Sequence, residues 1–458
     1  AVRRNVLAYD QRHGYRGPEG FVDLPDNVDE QEDAVDQLLA RHPGSDNLIA
    51  AVVTEVSAKR VRAEPASGDT LEIKGDGLRF AARALQPNAK MDIKIRVGSV
   101  IRVSQDGKGR WSIAQMPEVD AAFVALNAED GSYRAMVGGF DFSRNQFNHV
   151  TSAWRQPGSS IKPFVYSAAL EKGFSPATLM NDAPLSLPGS EAGQAWEPRN
   201  DDGFDGPISL REALARSKNV VAVRLLQAIS PQYARDYLQR FGFEAAKQPA
   251  NLTMVLGSGS VTPLQMAGAY AVFANGGFRV SPRLIQKITD ARGNVLHEAA
   301  PLPARQEEQR AIDPRNAFII DSMLREVVRS GTGALATQRL GRNDLAGKTG
   351  TTSGAVDGWF AGYSGNVVAV SWMGHDQPKS LGGREFGATL ALPIWIDYMR
   401  QALSGKPPNE RAPPPGVSFV DGDWLYDEFK GDEGVKTLDV EVSPLKSIFD
   451  TIRKAFGG

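Results

Sequence analysis

Ser159-Ser160-Ile161-Lys162, Ser217-Lys218-Asn219 and Lys348-Thr349-Gly350-Thr351 stand in that order along a chain of 458 residues. Together they supply a serine nucleophile, a lysine base, a proton relay and a carboxylate-binding strand. That set suits acyl transfer through a covalent acyl-enzyme on a substrate ending in a carboxylate. A serine hydroxyl is a weak nucleophile at neutral pH and needs a base within hydrogen-bond reach. Residues i and i+3 share one face of a helix, so Ser159 and Lys162 can meet. Pro157-Gly158 reads as a turn feeding a helix start, which puts Ser159 where free N–H groups favour developing negative charge. Lys162 acts as a base only if burial or a second cation lowers its pKa, and Lys348 is that cation. Ser217 can pass a proton between lysine and leaving group, and the Asn219 amide can fix Lys162 or a substrate amide. On a strand, Lys348 and Gly350 point one way and Thr349 and Thr351 the other. Gly350 is expected to let a substrate backbone approach closely. The ammonium and the two threonine hydroxyls suit a terminal carboxylate.

Each motif alone is weak. A second S-x-x-K occurs at Ser443-Pro444-Leu445-Lys446, and S-x-N recurs at Ser45-Asp46-Asn47, Ser143-Arg144-Asn145 and Ser364-Gly365-Asn366. Taken singly, Ser159 is a helix cap, Ser217-Asn219 a turn and Lys348-Thr351 an exposed glycine turn. Only the set beginning at Ser159, Ser217 and Lys348 has all three parts in order, with room between them for a helical subdomain.

The elements that must hold these residues follow from patterning. Residues 1–47 read as a polar linker arm with one helix around Asp26 to Arg41. Residues 48–115 read as a small all-β module of the OB type. Its strands are Leu48–Val56, Leu71–Lys74, Ser99–Ser104 and Trp111–Ala114, with turns at Gly75-Asp76-Gly77 and Asp106-Gly107-Lys108-Gly109. Residues 116–410 carry the motifs. Ala122–Leu126 and Tyr133–Val137 form a hairpin about Asp130-Gly131, followed by a helix from Ser159 towards Leu170. Leu210–Gln227, Pro263–Asn275, Ala317–Arg329 and Leu392–Leu403 are helical by period, and Gly358–Tyr363 and Val367–Met373 are strands. The fold class is therefore α/β (α+β), a sheet flanked by helices, with the OB-like module attached. Residues 411–458 form a tail with a weak strand pair and a short basic end.

Hydrophobic content of 41% and charged content of 23% are those of an ordinary globular protein. A net charge of −2 implies no global attraction to nucleic acid or membrane. There are no cysteines, so thiolate zinc sites and cysteine nucleophiles are excluded. Five histidines lack any metal-ligand spacing, and neither metal nor cofactor is expected. Residues 49–115 carry 12 Lys and Arg against seven Asp and Glu. A solvated surface accounts for that surplus; the sharper alternative is an anionic or protein partner. Nucleic acid is not expected, because Phe80 and Trp111 are the only aromatics there and make no stacking platform.

Around the motifs, Arg155-Gln156-Pro157-Gly158-Ser159-Ser160-Ile161-Lys162-Pro163-Phe164, Val261-Thr262-Pro263-Leu264-Gln265-Met266-Ala267, Phe273-Ala274-Asn275-Gly276-Gly277 and Ala346-Gly347-Lys348-Thr349-Gly350-Thr351-Thr352 resemble the transpeptidase domain of class A penicillin-binding proteins. The opening Ala8-Tyr9-Asp10-Gln11-Arg12-His13-Gly14-Tyr15-Arg16-Gly17-Pro18 resembles the 1a type of Gram-negative bacteria, some of which carry an insertion at the place of the OB-like module. The resemblance implies a penicillin-binding, serine β-lactamase-like fold. It implies that Ser159 is acylated, that Lys162 is the base, and that Lys348, Thr349 and Thr351 bind the carboxylate. It further implies an oxyanion hole from the backbone N–H groups of Ser159 and Thr351. The implied substrate is a D-Ala-D-Ala stem peptide on peptidoglycan glycan strands, and β-lactams are implied as covalent inhibitors. An envelope protein partner would suit the OB-like module. Full-length members begin with a membrane-anchoring helix and a glycosyltransferase domain and work at the periplasmic face of the inner membrane. This chain starts at Ala1-Val2-Arg3-Arg4 and reads as a fragment or engineered truncation, with no glycosyltransferase activity assigned. A serine β-lactamase (with Glu212 as the nearest candidate for a deacylating base), a DD-carboxypeptidase and a β-lactam sensor or envelope scaffold are the alternatives.

Overall fold

The computed structural model describes residues 1–25, 27–189, 194–299, 306–431 and 433–440. The second S-x-x-K copy at Ser443 and the basic end lie outside them. The chain divides into two compact units. One is Val2–Asp120 with Gly139–Gln146, and the other is Ala1, Ala121–Gly138 and Phe147–Gly458.

The smaller unit is built on one sheet. Strand Ile49–Ser57 lies between Ser99–Gln105 and Arg60–Pro65, and Leu71–Lys74 follows at one edge. Gly20–Phe21 and Trp111–Ala114 both pair with Ser99–Gln105. Alternation sorts the two faces. Ala51, Val53, Val61, Ala63, Ile73, Ile101 and Val103 enclose one core, while Ala50, Val52 and Val100 pack against Val35 and Leu39 of the helix Val28–Leu39. The strand Arg60–Pro65 was not expected. Its Arg-Val-Arg-Ala-Glu run looks polar, yet it alternates, with Val61 and Ala63 fully buried. Gly75-Asp76-Gly77 begins a 3-10 helix, Gly75–Ala81, rather than a simple turn.

The larger unit holds a five-stranded sheet in the order Ala346–Thr351, Asp357–Ser364, Val367–Gly374, Asp120–Asn127, Tyr133–Val137. Its second and third strands are buried at every residue, so both faces are covered. Trp359, Ala361 and Tyr363 join a core that includes the helices Pro263–Ala274 and Pro314–Arg329. From the other face Phe360 meets Trp395 of the helix Leu392–Ala402. Trp395 is therefore core, as residue type alone implies. The helix Lys162–Leu170 is buried along its whole length, with Phe164 ringed by Phe241, Phe243, Tyr270 and Phe273. A three-stranded sheet, Gly206–Ser209 with Phe174–Asp182 and Val435–Leu438, lies in the same unit. No helix among the described residues is long and apolar enough to cross a membrane.

One expected helix is two. Leu210–Ala215 and Asn219–Ile229 are separate, broken at Arg216–Lys218. Apolar residues recur on both sides of the break, and periodicity does not report the left-handed backbone of Ser217 that interrupts the helix.

Candidate active site

Ser159 stands in a 3-10 turn, Gly158–Ile161, that runs directly into the helix Lys162–Leu170. The α-helix thus begins three residues later than expected. Residues three apart eclipse in 3-10 geometry, which keeps Ser159 and Lys162 on one side. Ser159 is half-buried, whereas Lys162 is fully buried.

The helix break supplies the second motif. Ser217 takes a left-handed backbone, with φ at 61°. Lys162 Nζ donates to Ser217 O at 2.6 Å, to Ser217 Oγ at 3.3 Å and to Asn219 Oδ1 at 2.7 Å. From the other side Lys348 Nζ donates to Ser217 Oγ at 2.8 Å and to Thr349 O at 3.1 Å. Ser217 Oγ therefore bridges two buried lysines, the geometry of a proton relay. Burial, and next the charge of Lys348, push the Lys162 ammonium well below the ordinary lysine value, while Asp201 acts in the opposite sense. Burial alone brings Lys348 down to about 7. Solvent exclusion and a second cation both favour the neutral amine, which is the form a general base requires.

Strand Ala346–Thr351 is the sheet edge, and the turn carrying Ser159 lies against it. Gly158, at φ 54°, has its backbone pressed onto Thr351, and a Cβ there would strike Thr351 O and stand 3.0 Å from Thr351 N. Gly257 packs in turn on Gly158, where a Cβ would strike backbone. The turn is clamped further by Ser160 Oγ donating to Pro157 O (2.7 Å), Tyr270 OH to Ser160 O (2.8 Å) and Trp359 Nε1 to Gln156 O (2.8 Å). Gly350 has a further reason to lack a side chain. The space a side chain would occupy is filled by Pro157 O, Trp359 Cβ and Ser160 Cβ, so the protein's own chain already approaches it closely. Thr349 Oγ1 shares a hydrogen bond of 2.6 Å with Thr332 Oγ1, and Thr351 Oγ1 accepts from Gly387 N at 3.0 Å.

Ser159, Lys162, Ser217, Asn219 and Lys348 are thus gathered in one place, with Thr349, Gly350 and Thr351 on the adjoining edge. Glu212 is not among them; it is half-exposed and bonded to Arg216. Sequence reasoning missed Thr332 and Asn200. The Asn200 side chain accepts from the N–H groups of Asn219 and Val220 at 2.7 and 3.1 Å, capping the helix that Asn219 begins. Neither residue carries a local signal, because each is brought in from a distant loop.

Residues 121–395 match the family described as penicillin binding protein transpeptidase domain, and residues 15–119 the penicillin-binding protein OB-like domain. The chain is 45% identical to penicillin-binding protein 1A of Neisseria lactamica over 93% of its own length and 54% of that protein's. It is 38% identical to penicillin-binding protein 1A of Pseudomonas aeruginosa over 91% of the chain and 56% of the relative. The chain therefore spans about half the length of these curated relatives. The crystal structure of penicillin-binding protein 1A from Haemophilus influenzae superposes with a TM-score of 0.83 at 32% identity, covering 96% of this chain and 71% of that one. With its three motifs brought together and a family match over most of its length, this chain belongs to the penicillin-binding protein transpeptidase family and carries that family's OB-like domain.

Proposed function

We propose that the chain is a serine DD-transpeptidase that cross-links D-Ala-D-Ala stem peptides of peptidoglycan and is acylated by β-lactams. One observation carries the reading: a buried lysine, held by Ser217 and Asn219 and faced by Lys348, beside a half-buried serine.

Ser159 Oγ attacks the carbonyl carbon of the penultimate D-Ala while Lys162 takes the hydroxyl proton. The oxyanion lies between the N–H groups of Ser159 and Thr351, each such donor typically lowering a barrier by about 2.7–4 kcal/mol. Lys348, Thr349 and Thr351 hold the terminal carboxylate. On collapse the C–N bond breaks, and the departing amine receives a proton from Lys162 through Ser217. An acceptor amine then attacks the ester, gives its proton to Lys162, and leaves a new amide with Ser159 regenerated. A β-lactam enters the first half alone: its ring amide opens and the tethered leaving group blocks the acceptor. In the full-length protein this domain works at the periplasmic face of the inner membrane, behind an N-terminal anchor, and an envelope protein is a partner suited to the OB-like unit.

The test is intact mass after incubation with penicillin, followed over an hour, with Ser159→Ala alongside. A stable adduct on the parent and none on the variant is expected. An adduct that disappears while penicillin is consumed points to a β-lactamase. No adduct on the parent overturns the assignment of Ser159.

A further inference from the structure

Lys218, the middle residue of the second motif, has no part in the steps above, yet it is fully buried. Its ammonium turns away from Lys162. It lies 3.2 Å from Asp182, itself fully buried, and 2.8 Å from Asp202, it pairs with Asp205, and it donates to Gly203 O at 3.1 Å. Desolvation opposes the charge, but the carboxylates outweigh it and the pKa is raised, so this lysine is a fixed cation. The same carboxylates bind loop 199–205. Asp182 accepts from Asn200 Nδ2 at 2.7 Å and from Asp205 N at 3.1 Å. That loop reaches the catalytic side directly, since Arg199 O accepts from Asn219 Nδ2 at 2.8 Å and Asn200 Oδ1 caps Asn219 and Val220. The bonds therefore close a ring: Lys162, Asn219, residues 199–200, Asp182, Lys218, and back along the backbone to Asn219.

Resting on the reading of Lys162 as the base, we infer that Lys218 is a positioning residue. By gripping Asp182, Asp202 and Asp205 it holds loop 199–205 on the helix break, and so fixes the Asn219 amide that carries Lys162. It also neutralises an acidic loop beside a base that must stay uncharged. The charged groups acting on Lys162 are Lys348 and Asp201. Those around Lys218 are Asp182, Asp202 and Asp205, with Arg216 paired to Asp202, Asp205 and Glu212 at the half-exposed rim. Arg216 cannot replace a buried cation on Asp182. Without Lys218 the uncompensated carboxylates favour the protonated form of Lys162. Acylation needs the neutral amine, so its acid limb moves to higher pH.

The experiment measures the second-order rate of acylation by a fluorescent penicillin across about pH 5 to 9 for the parent, Lys218→Met and Lys218→Arg, with thermal midpoints for each. For Lys218→Met the plateau should fall on the order of tenfold, part of the roughly 10²–10⁴ that a general base contributes. Its acid limb should move up by on the order of half a pH unit. Lys218→Arg, which keeps the charge, should return the limb to the parent position. A lower midpoint with an unmoved limb and no rescue by arginine overturns the inference, as does a parent-like rate in Lys218→Met. If Lys218→Met does not fold, Asp202→Asn/Asp205→Asn decides. These carboxylates sit at the rim, and releasing two of the three anchors should lower the plateau several-fold with a near-parent midpoint; a parent-like plateau overturns the inference. A parent that gives no Ser159-dependent adduct overturns the reading of the site itself, whereas a labelled parent whose variants keep a parent-like rate and limb overturns only the role of Lys218.

Discussion

Lys162 and Lys348 are cations by type that burial makes more acidic, and each should leave its own limb on a pH profile. Lys162, depressed well below the ordinary range, must lose its proton for acylation, so the rate constant rises with pH through its pKa. In the proposed role Lys348 keeps its proton to hold a carboxylate, so the rate should fall as pH rises past about 7 in the free protein. A β-lactam whose carboxylate is esterified should lose the falling limb and keep the rising one; retention of both would assign the fall to another group. The Thr332–Thr349 hydrogen bond gives a second check. Thr332→Val should slow acylation by about three- to tenfold, matching the roughly 0.5–1.5 kcal/mol of one hydrogen bond. The residues gathered at the candidate site were legible in the sequence because their types and order are rare together. Thr332, Asn200 and the partners of Lys218 were not. Their contributions depend on which loops meet, and no local pattern encodes that.

Among the elements, those that bury one face were read closely, such as Leu71–Lys74 and Trp111–Ala114. The elements that shape the site were read less well, for a common reason. The 3-10 turn at Ser159 and the break at Ser217 leave the apolar pattern intact while changing backbone angles that the pattern does not report. The break is needed: only with Ser217 out of the helix can its carbonyl and hydroxyl both reach Lys162. The turn has a sharper requirement. Gly158→Ala places a Cβ in the left-handed region, at about 1–2 kcal/mol, and onto Thr351 O besides. The variant should show a lowered thermal midpoint together with loss of penicillin labelling; normal labelling would mean that the turn can shift.

At the scale of the molecule, each unit has its own apolar core, and so each should melt as its own transition. Penicillin should raise only the transition of the unit holding Ser159, as read by calorimetry, because a ligand stabilises what it binds; a shift of both would show that they unfold together. Stability should also depend on pH through Lys348. Its folded pKa is about 7 against the usual 10.5, so between those values the unfolded chain holds more protons and stability rises with pH. In that window the parent should gain thermal midpoint relative to Lys348→Met, and parallel midpoints would place the depressed pKa elsewhere.

The packing of Gly158, Gly257 and Gly350 around the serine turn bears on which substitutions the site can accept. At that point bare backbone meets bare backbone, and any added side chain collides with the machinery itself. The floor beneath Ser159 therefore accepts no added side chain unless backbone moves. Variation that alters ligand fit while leaving the turn in place should fall outside these glycines, as in the stretch that leads to Gly387.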